Sequence, residues 1–406
     1  MLASSDSIEI PQAPAVASHA PRHVLYLFDQ LCNLDGGAER SLLKTVQLLP
    51  PDRYRASIAT FCRPDDISFL NRFPCPIHLL PLKRAYGWSS IKVALLLRDI
   101  IQCEQVSVVQ TFFASSDLLG GAVARLSGCP VLISSRRDMG FLRQRKHRIG
   151  YRLMGSAYDR VHTVSDAVRD YTIQHDRVAT GRVLTIPNGV DTERIAQHFD
   201  PEFRSRHGLQ DASHLIVDVG SIKPVKGYEV LIRAAELVCR QFPKAVFAIA
   251  GPVQNRPYFD KLQCLVKSLG LVQNMKFLGN VDPVYPLLHA SDIFCHLSST
   301  DGLSNAMLEA MATGLPCVIS RVGGNPEVVE EGQSAFIVPP ADHLQAADRL
   351  IELLTDQSRR QRMGTRSREI VEERFTAEQM VQRFVVLYDQ LLDTNELVVP
   401  NLNWPL

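Results

Sequence analysis

Two doubly wound α/β domains, each built on a parallel sheet, are the fold class this sequence predicts. Three observations lead there. Short β-rich runs alternate with helix-period segments from Arg22 onward. Most of those runs are apolar on both faces, as strands covered by helices on both sides must be. The alternation also breaks once near the middle of the chain and then resumes. The length, 406 residues, suits this division at about 100–200 residues per domain.

The first series opens with HVLYLF (His23–Phe28) and a helical stretch from Ala38 to Leu49. ASIATFC, IHLLPL, SVVQTF, CPVLISS, DRVHTV and RVLTI follow as strand candidates, with helix-period segments near 89–103, 115–127, 145–157 and 165–174. Around IPNGVDTERI (Ile186–Ile195) the register breaks, and a polar stretch, HFDPEFRSRHGLQDASH, follows. The second series consists of LIVDVGS, AVFAIAG, MKFLGN, DIFCHLS, PCVISR and AFIVPP, separated by helices most clearly at 228–241, 257–270 and 305–313. After Thr376 the run AEQMVQRFVVLYDQLL predicts a long final helix, and NELVVPNLNWPL reads as a tail. Open sheets of this kind bind ligands beyond the carboxyl ends of their strands, so two facing domains create a cleft there.

Composition narrows the field. With 46% apolar and 21% charged residues the chain reads as a globular protein, and 44 Lys+Arg against 43 Asp+Glu exclude the lopsided basic field of a general nucleic-acid binder. Nine cysteines form no CxxC pair, which argues against a zinc ribbon or a dense disulfide framework and for a reducing compartment. The greasiest stretch, VALLLRDII, is interrupted by Arg98 and Asp99 and falls far short of the ~20 residues that cross a bilayer. Residues 1–20 lack the basic start and apolar core of a signal peptide and read as a disordered leader, so the expected location is the cytoplasm, with a membrane surface still open to contact. GxGxxG after the first strand, GxxxxGK[ST], HExxH and GxSxG are all missing, which removes the usual dinucleotide, P-loop, zincin and α/β-hydrolase readings.

The densest constellation is Ser298–Pro340. Strand DIFCHLS ends in a polar loop, a helix opens near Ser304 or Asn305, and Gly314 closes it. Backbone N–H groups at such a helix start suit a phosphate. Asp301 before the helix and Glu309 inside it border the same anion site, and carboxylates accept hydrogen bonds from vicinal hydroxyls such as those of a ribose or a sugar ring. A turn residue at Asp301 and a solvated one at Glu309 are the bland alternatives. Glu309, however, sits among Met307, Leu308, Ala310 and Met311, a poor setting for an idle charge.

This segment resembles the signature of the retaining glycosyltransferases of family 4, of GT-B type: an acid, seven residues and a Glu, then AMATGLP (Ala310–Pro316) and VGGNPEVV (Val322–Val329). The resemblance implies that Asp301 contacts the donor sugar, that Glu309 contacts the ribose of a nucleoside diphosphate sugar, and that Gly302, Leu303, Ser304 and Asn305 offer backbone donors. The first acid is usually Glu, and here it is Asp. In VGSIKPVKGYEVLI (Val219–Ile232), Lys223, Lys226 and Gly227 ahead of a helix could clamp a diphosphate, although a solvated basic loop accounts for two lysines equally well. The resemblance favours the clamp: Lys226 and Gly227 match its Lys–Gly, Ser221 stands at its usual Arg, and Lys223 substitutes for that Arg. In DQLCNLDGGAERS (Asp29–Ser41), Gly36 and Gly37 relax a helix start. A simple turn explains them on sequence alone, whereas the resemblance places a Gly–Gly loop facing donor and acceptor.

SSRRDMGFLRQRKHRIGYR (Ser134–Arg152) holds seven basic residues and one acid, interleaved with Phe141, Leu142, Ile149 and Tyr151. A solvated helix face and an anionic-acceptor or membrane-surface role both fit, the latter through Arg136, Arg137, Arg145 and Lys146. Where relatives often carry a His, this chain has Gln110 and the Arg136–Asp138 run, so no catalytic His is assigned; His162 and His296 read as buried, satisfied imidazoles, and PNGVD (Pro187–Asp191) as structural.

Beyond the leader read over 1–20, the resemblance implies an acceptor-side Rossmann-like domain over 21–196, a nucleotide-sugar domain over 197–376, and, within 377–406, a final helix that crosses back to the first domain ahead of the tail. It further implies glycosyl transfer from a nucleoside diphosphate sugar to a glycan or lipid-linked acceptor, with retention of configuration. No metal, no cofactor and no nucleic acid would be involved. SRRDMG is similar to members that build bacterial surface polysaccharides. Two other readings stand beside this one: a nucleotide-sugar epimerase or hydrolase on the same scaffold, and a nucleotide-sugar-binding partner with little activity.

Overall fold

The computed structural model describes residues 20–34, 36–82, 88–140, 143 and 145–393. Residues 1–19 of the expected leader, the tail from Asn395, and Phe141 and Leu142 of the basic run lie outside that set.

Each strand candidate becomes a strand. β1 (Arg22–Phe28), β2 (Tyr54–Thr60), β3 (Ile77–Leu79), β4 (Val106–Phe112), β5 (Val131–Arg136), β6 (Arg160–Thr163) and β7 (Val183–Thr185) form one sheet in the order β3-β2-β1-β4-β5-β6-β7. β8 (His214–Val219), β9 (Ala245–Ala250), β10 (Met275–Gly279), β11 (Ile293–His296), β12 (Cys317–Ser320) and β13 (Ala335–Val338) form the other, in the order β10-β9-β8-β11-β12-β13. All pairings within both sheets are parallel. The order reverses between β1 and β4 and again between β8 and β11, and those two switch points open the crevices in which such sheets bind ligands.

Around the first sheet lie α1 (Gly37–Leu48), α2 (Trp88–Cys103), α3 (Gly121–Leu126), α4 (Arg145–Met154) and α5 (Asp166–Asp176). Two short helices, α6 (Thr192–Gln197) and α7 (Phe203–Arg206), occupy the polar link. The second sheet carries α8 (Tyr228–Gln241), α9 (Arg256–Ser268), α10 (Tyr285–His289), α11 (Asn305–Ala312), α12 (His343–Thr355) and α13 (Gln357–Arg374), and α14 (Ala377–Asp393) closes the described chain. Sequence patterning singles out neither α12 nor α13. α13 explains why: half of QSRRQRMGTRSREIVEER is charged, and it buries only Met363, Gly364, Ser367, Ile370 and Val371. The segment expected as one helix over 115–127 opens instead as a π-helical turn, Ser116–Gly120, before α3.

Apolar cores fill both faces of both sheets. Although α14 follows the second sheet in sequence, its Met380, Val381, Phe384, Val385, Leu387 and Tyr388 are buried against β1, β2 and β4 of the first. Burying a large apolar side chain contributes roughly 1.5–3 kcal/mol, so this stripe anchors the second half of the chain to the first. The Tyr388 hydroxyl donates to Gln110 Oε1, and Gln110 Nε2 donates to Ser135 at 2.7 Å, so Gln110 is spent inside that core. The two crossings between domains run side by side: Val190 N–H donates to Phe375 O at 2.9 Å, and Ala377 N–H donates to Val190 O at 2.9 Å. A Cβ at Gly189 would overlap the Thr376 carbonyl, which gives PNGVD its structural role.

Candidate active site in the interdomain cleft

A cavity of about 360 Å³ lies between the carboxyl ends of the two sheets. Gly36, Gly37, Glu39 and Arg40 of the first domain form one wall. The other is made by the loop after β8 with Lys223 and Lys226, and by Asp301 through Ala306 and Glu309 around the start of α11, with Gly302 excepted.

The local sequence explains each position. β11 ends at His296, and the chain turns through Ser298–Leu303 before Ser304 caps α11, its Oγ accepting from Met307 N–H at 3.3 Å. Ser304 N–H is itself taken up by Asn325 Oδ1 at 2.9 Å. Asn305, the first helical residue, donates through Nδ2 to Gly37 O across the cleft at 2.8 Å, and a Cβ on Gly37 would press on that amide. Gly314, at φ +81°, ends the helix, as left-handed backbone allows.

Glu309 is buried, with 1% of its surface exposed. Its carboxylate faces α1, with Arg40 Nη1 at 3.8 Å from Oε2 and Lys44 Nζ at 3.9 Å from Oε1. These are ion-pair distances rather than hydrogen bonds, and among the described residues neither Glu309 Oε1 nor Asn305 Oδ1 finds a hydrogen-bond partner. Burial lowers the pKa of Lys44, and Glu309 only partly offsets that. A buried carboxylate oxygen without a partner is costly unless something else, such as a ligand hydroxyl, supplies the bond.

Lys226 and Asp301 meet at 2.8 Å, Nζ to Oδ2, and His296 Nε2 lies 3.1 Å from the same oxygen. Burial alone would raise the Asp301 pKa, but the charges of Lys226 and His296 hold it well below the usual carboxylate range. For Lys226, burial opposes the charge and Asp301 outweighs it, so the ammonium pKa is raised. For Lys223, burial and then the charge of Lys226 lower the pKa, and Asp301 and Glu39 only partly offset that.

Several expected site residues sit elsewhere. Gly227, at φ +68°, packs against β11, where a Cβ would overlap the Leu297 carbonyl; it shapes the loop from behind rather than lining the cleft. Gly302 is wedged against the first domain: a Cβ would overlap Arg137 O, and its own carbonyl accepts from Ser165 Oγ at 3.0 Å. Arg136, expected on an acceptor or membrane side, is buried under α4 in an ion pair with Asp117, because β5 turns its last residue inward. Arg137 stays at the domain boundary, where its Nη2 donates to Asn188 Oδ1 at 2.6 Å and burial lowers its pKa to about 10. Only Arg145 and Lys146 of that set are exposed, at the start of α4.

Sequence reasoning misses Arg40, Lys44 and Asp218, and it treats His296 as a satisfied core imidazole. A signal was present for Asp218, a carboxylate inside the otherwise apolar strand LIVDVG. His296 is fully buried as expected, yet both its partners are carboxylates.

The arrangement matches known proteins. Residues 199–370 match the family model described as glycosyl transferases group 1, and residues 35–194 match the model of glycosyltransferase family 4. A GDP-mannose-dependent α-(1-6)-phosphatidylinositol monomannoside mannosyltransferase of Mycolicibacterium smegmatis is 30% identical over 292 residues, 68% of this chain and 74% of that enzyme. The N-acetyl-α-D-glucosaminyl L-malate synthase of Bacillus anthracis is also 30% identical, over 52% of this chain and 54% of its own length. Among solved structures, a glycosyltransferase from Rickettsia africae superimposes with a TM-score of 0.82 at 16% identity, covering 93% of this chain and all of that one. Anabaena HepE in complex with UDP gives 0.78 at 20% identity, covering 90% of this chain and 99% of its own. The chain therefore belongs to the group 1 glycosyltransferases and has the GT-B fold. It is a glycosyltransferase.

Proposed function

We propose that the protein is a retaining hexosyltransferase that takes its sugar from a UDP- or GDP-sugar and passes it to a glycan or lipid-linked acceptor in surface polysaccharide biosynthesis. One observation carries this reading. One wall of a single cleft brings together two lysines, a helix start and, one turn inside that helix, a buried carboxylate, Glu309, with an oxygen that lacks a hydrogen-bond partner among the described residues. Lysine ammonium groups and first-turn N–H groups suit a diphosphate, and a carboxylate suits the vicinal hydroxyls of a ribose. Charge develops on the departing diphosphate during transfer, and Lys226, Lys223 and the start of α11 would stabilise it there without a metal ion. Asp301 is then the group that contacts the sugar.

The relatives support the choice of donors and acceptors. One is named as GDP-mannose-dependent and acting on a phosphatidylinositol mannoside. Another, from Escherichia coli, is a UDP-Gal:α-D-GlcNAc-diphosphoundecaprenol galactosyltransferase, 24% identical over 81% of this chain. A lipid-linked acceptor calls for a membrane-facing surface. Arg145 and Lys146 open α4, whose Ile149 and Leu153 are 58% and 75% exposed, so cation and apolar groups share one helix. No helix among the described residues is long and apolar enough to cross a membrane. We place the protein in the cytoplasm, peripheral on the inner face of the membrane.

Calorimetric titration with UDP-glucose, UDP-galactose, UDP-N-acetylglucosamine and GDP-mannose tests the donor site. Selective binding of one of them is expected, weakened about tenfold or more in Glu309→Ala and in Lys226→Ala, since hydrogen bonds to charged groups contribute about 1.5–3 kcal/mol. Wild-type affinity in both variants would remove the site assignment, and no binding by the wild type would remove the donor class.

A further inference from the structure

Four charged groups form a chain at the carboxyl edge of the second sheet. Asp218 comes from β8, Lys226 from the turn after it, His296 from the end of β11 and Asp301 from the loop that follows. His296 Nδ1 lies 2.8 Å from Asp218 Oδ1, and its Nε2 lies 3.1 Å from Asp301 Oδ2. An ionised carboxylate offers only acceptors, so a ring held between two of them must donate from both nitrogens. An imidazole does that only as the imidazolium. The cluster then carries two positive and two negative charges and is balanced.

The groups around the ring agree. Asp218, Lys226 and Asp301 are the charges facing His296; its register partner on β12 is Ile319, and the Phe294 ring stacks beside it at 5.9 Å between centroids. Glu309, the one acid of α11, is turned to Arg40 and Lys44. Burial, and then the charge of Lys226, would lower the pKa of His296, but Asp218 and Asp301 together outweigh them and raise the value to about 8.

Asp301 Oδ2 is thus gripped twice, by Lys226 and by His296, while among the described residues Oδ1 accepts only the Gly302 N–H, at 3.1 Å. A bound diphosphate, with its greater charge, competes for the Lys226 ammonium. Resting on the transferase reading above, we propose that His296, braced by Asp218, is a positioning residue: it keeps hold of Oδ2 when Lys226 turns to the diphosphate, and so presents Oδ1 of Asp301 to a hydroxyl of the donor sugar. Lys226 serves the phosphate and His296 serves the acid. Neither histidine nor Asp218 touches the substrate.

Two measurements on the full chain test this. The first is an NMR pH titration of the His296 ring nitrogens without ligand. Both nitrogens should carry protons at pH 7 with a midpoint near 8, falling by a unit or more in Asp218→Asn. A neutral ring at pH 7 overturns the proposal. The second compares UDP with UDP-glucose, and GDP with GDP-mannose, by calorimetry on wild type, Asp218→Asn and the double variant Asp218→Leu/His296→Leu, which removes both charges together and strands neither. Nucleotide affinity should stay within twofold, while the ratio of sugar-nucleotide to nucleotide dissociation constants rises tenfold or more in the double variant. In wild type that ratio should worsen as the pH rises through 8, and in Asp218→Asn it should do so at least one pH unit lower. Equal weakening of nucleotide and sugar nucleotide, or unchanged ratios, overturns the positioning role alone. Failure of the wild type to bind any of the four ligands overturns the transferase reading and this one with it. If the double variant does not fold, the Asp218→Asn profile decides by itself.

Discussion

Each half of the molecule buries a cluster of two acids and two bases at the carboxyl edge of its sheet, and the two clusters do different work. In the first domain, Arg136 pairs with Asp117 and lies 3.4 Å from Asp176, which also takes Arg143 at 2.9 Å. Thr111 and Ser134 donate to Asp117 Oδ1 at 2.6 Å each, and Tyr151 donates to Oδ2 at 2.9 Å. The Tyr151 ring covers the Arg136 guanidinium at 3.9 Å from its centroid. Every oxygen of Asp117 is occupied, and Arg136 and Asp117 are each 1% exposed at the side chain. In the second domain, Lys226 and Asp301 are each 17% exposed and border the cleft, and Asp301 Oδ1 has capacity left. Both clusters set two acids against two bases, Arg136 and Arg143 in the first and Lys226 and His296 in the second. Access to the cleft, and one carboxylate oxygen left unsaturated, separate a structural brace from a site.

The sharpest way to break this comparison is to remove an anion from the sealed cluster. Asp117→Ala should destabilise the fold by about 3–5 kcal/mol, because it takes from buried Arg136 the closer of its two carboxylates. Denaturant unfolding measures that loss, and the fraction that remains folded should bind nucleotide sugars as the wild type does. Loss of ligand affinity without loss of stability would show that the first cluster reaches the site after all.

A second test uses pH. The pKa of His296 is raised from 6.5 to about 8 in the folded protein, so its contribution to stability is fully present below about pH 6.5 and is lost as pH rises through 8. The shift corresponds to about 2 kcal/mol of wild-type stability lost between pH 6 and 9. Asp218→Leu/His296→Leu should flatten that slope, and unfolding curves at the two pH values would reveal a slope that persists.

The smallest effect on stability is expected on the surface. Arg145→Glu with Lys146→Glu should change the unfolding free energy by no more than about 0.5 kcal/mol, since substitutions of exposed residues usually cost little. The same pair should weaken binding to vesicles containing anionic phospholipid, measured by co-sedimentation. Unchanged sedimentation would take the membrane contact away from α4.

Much of the fold could be read from the sequence, and for a physical reason. Strands apolar on both faces, broken by helix-period segments, leave a covered parallel sheet as the packing solution, and the break at Ile186–Ile195 separates two of them. α13 escaped because half its residues are charged and its five buried ones include Gly364 and Ser367. The site was legible where its residues are neighbours in the chain: Asp301, Ser304, Asn305 and Glu309 fall on one loop and one helix, and Lys223 and Lys226 on one turn. It was misread where burial decides. Arg136 and Arg145 belong to one basic run, yet the first ends a strand and points into the core, while the second starts an exposed helix.

Local patterning, then, determined the strands, the two halves and the residue types of the cleft, because periodicity and loop chemistry are properties of neighbouring residues. Only the tertiary structure decided which charges share a partner. Asn305 bonds Gly37 across 268 residues of chain, Lys226 meets Asp301 across 75, and His296 finds Asp218 across 78. The first follows from how the two sheets face each other and the other two from the pairing of β8 beside β11 in one sheet, and the free energy of a buried charge depends on what stands within a few ångströms of it.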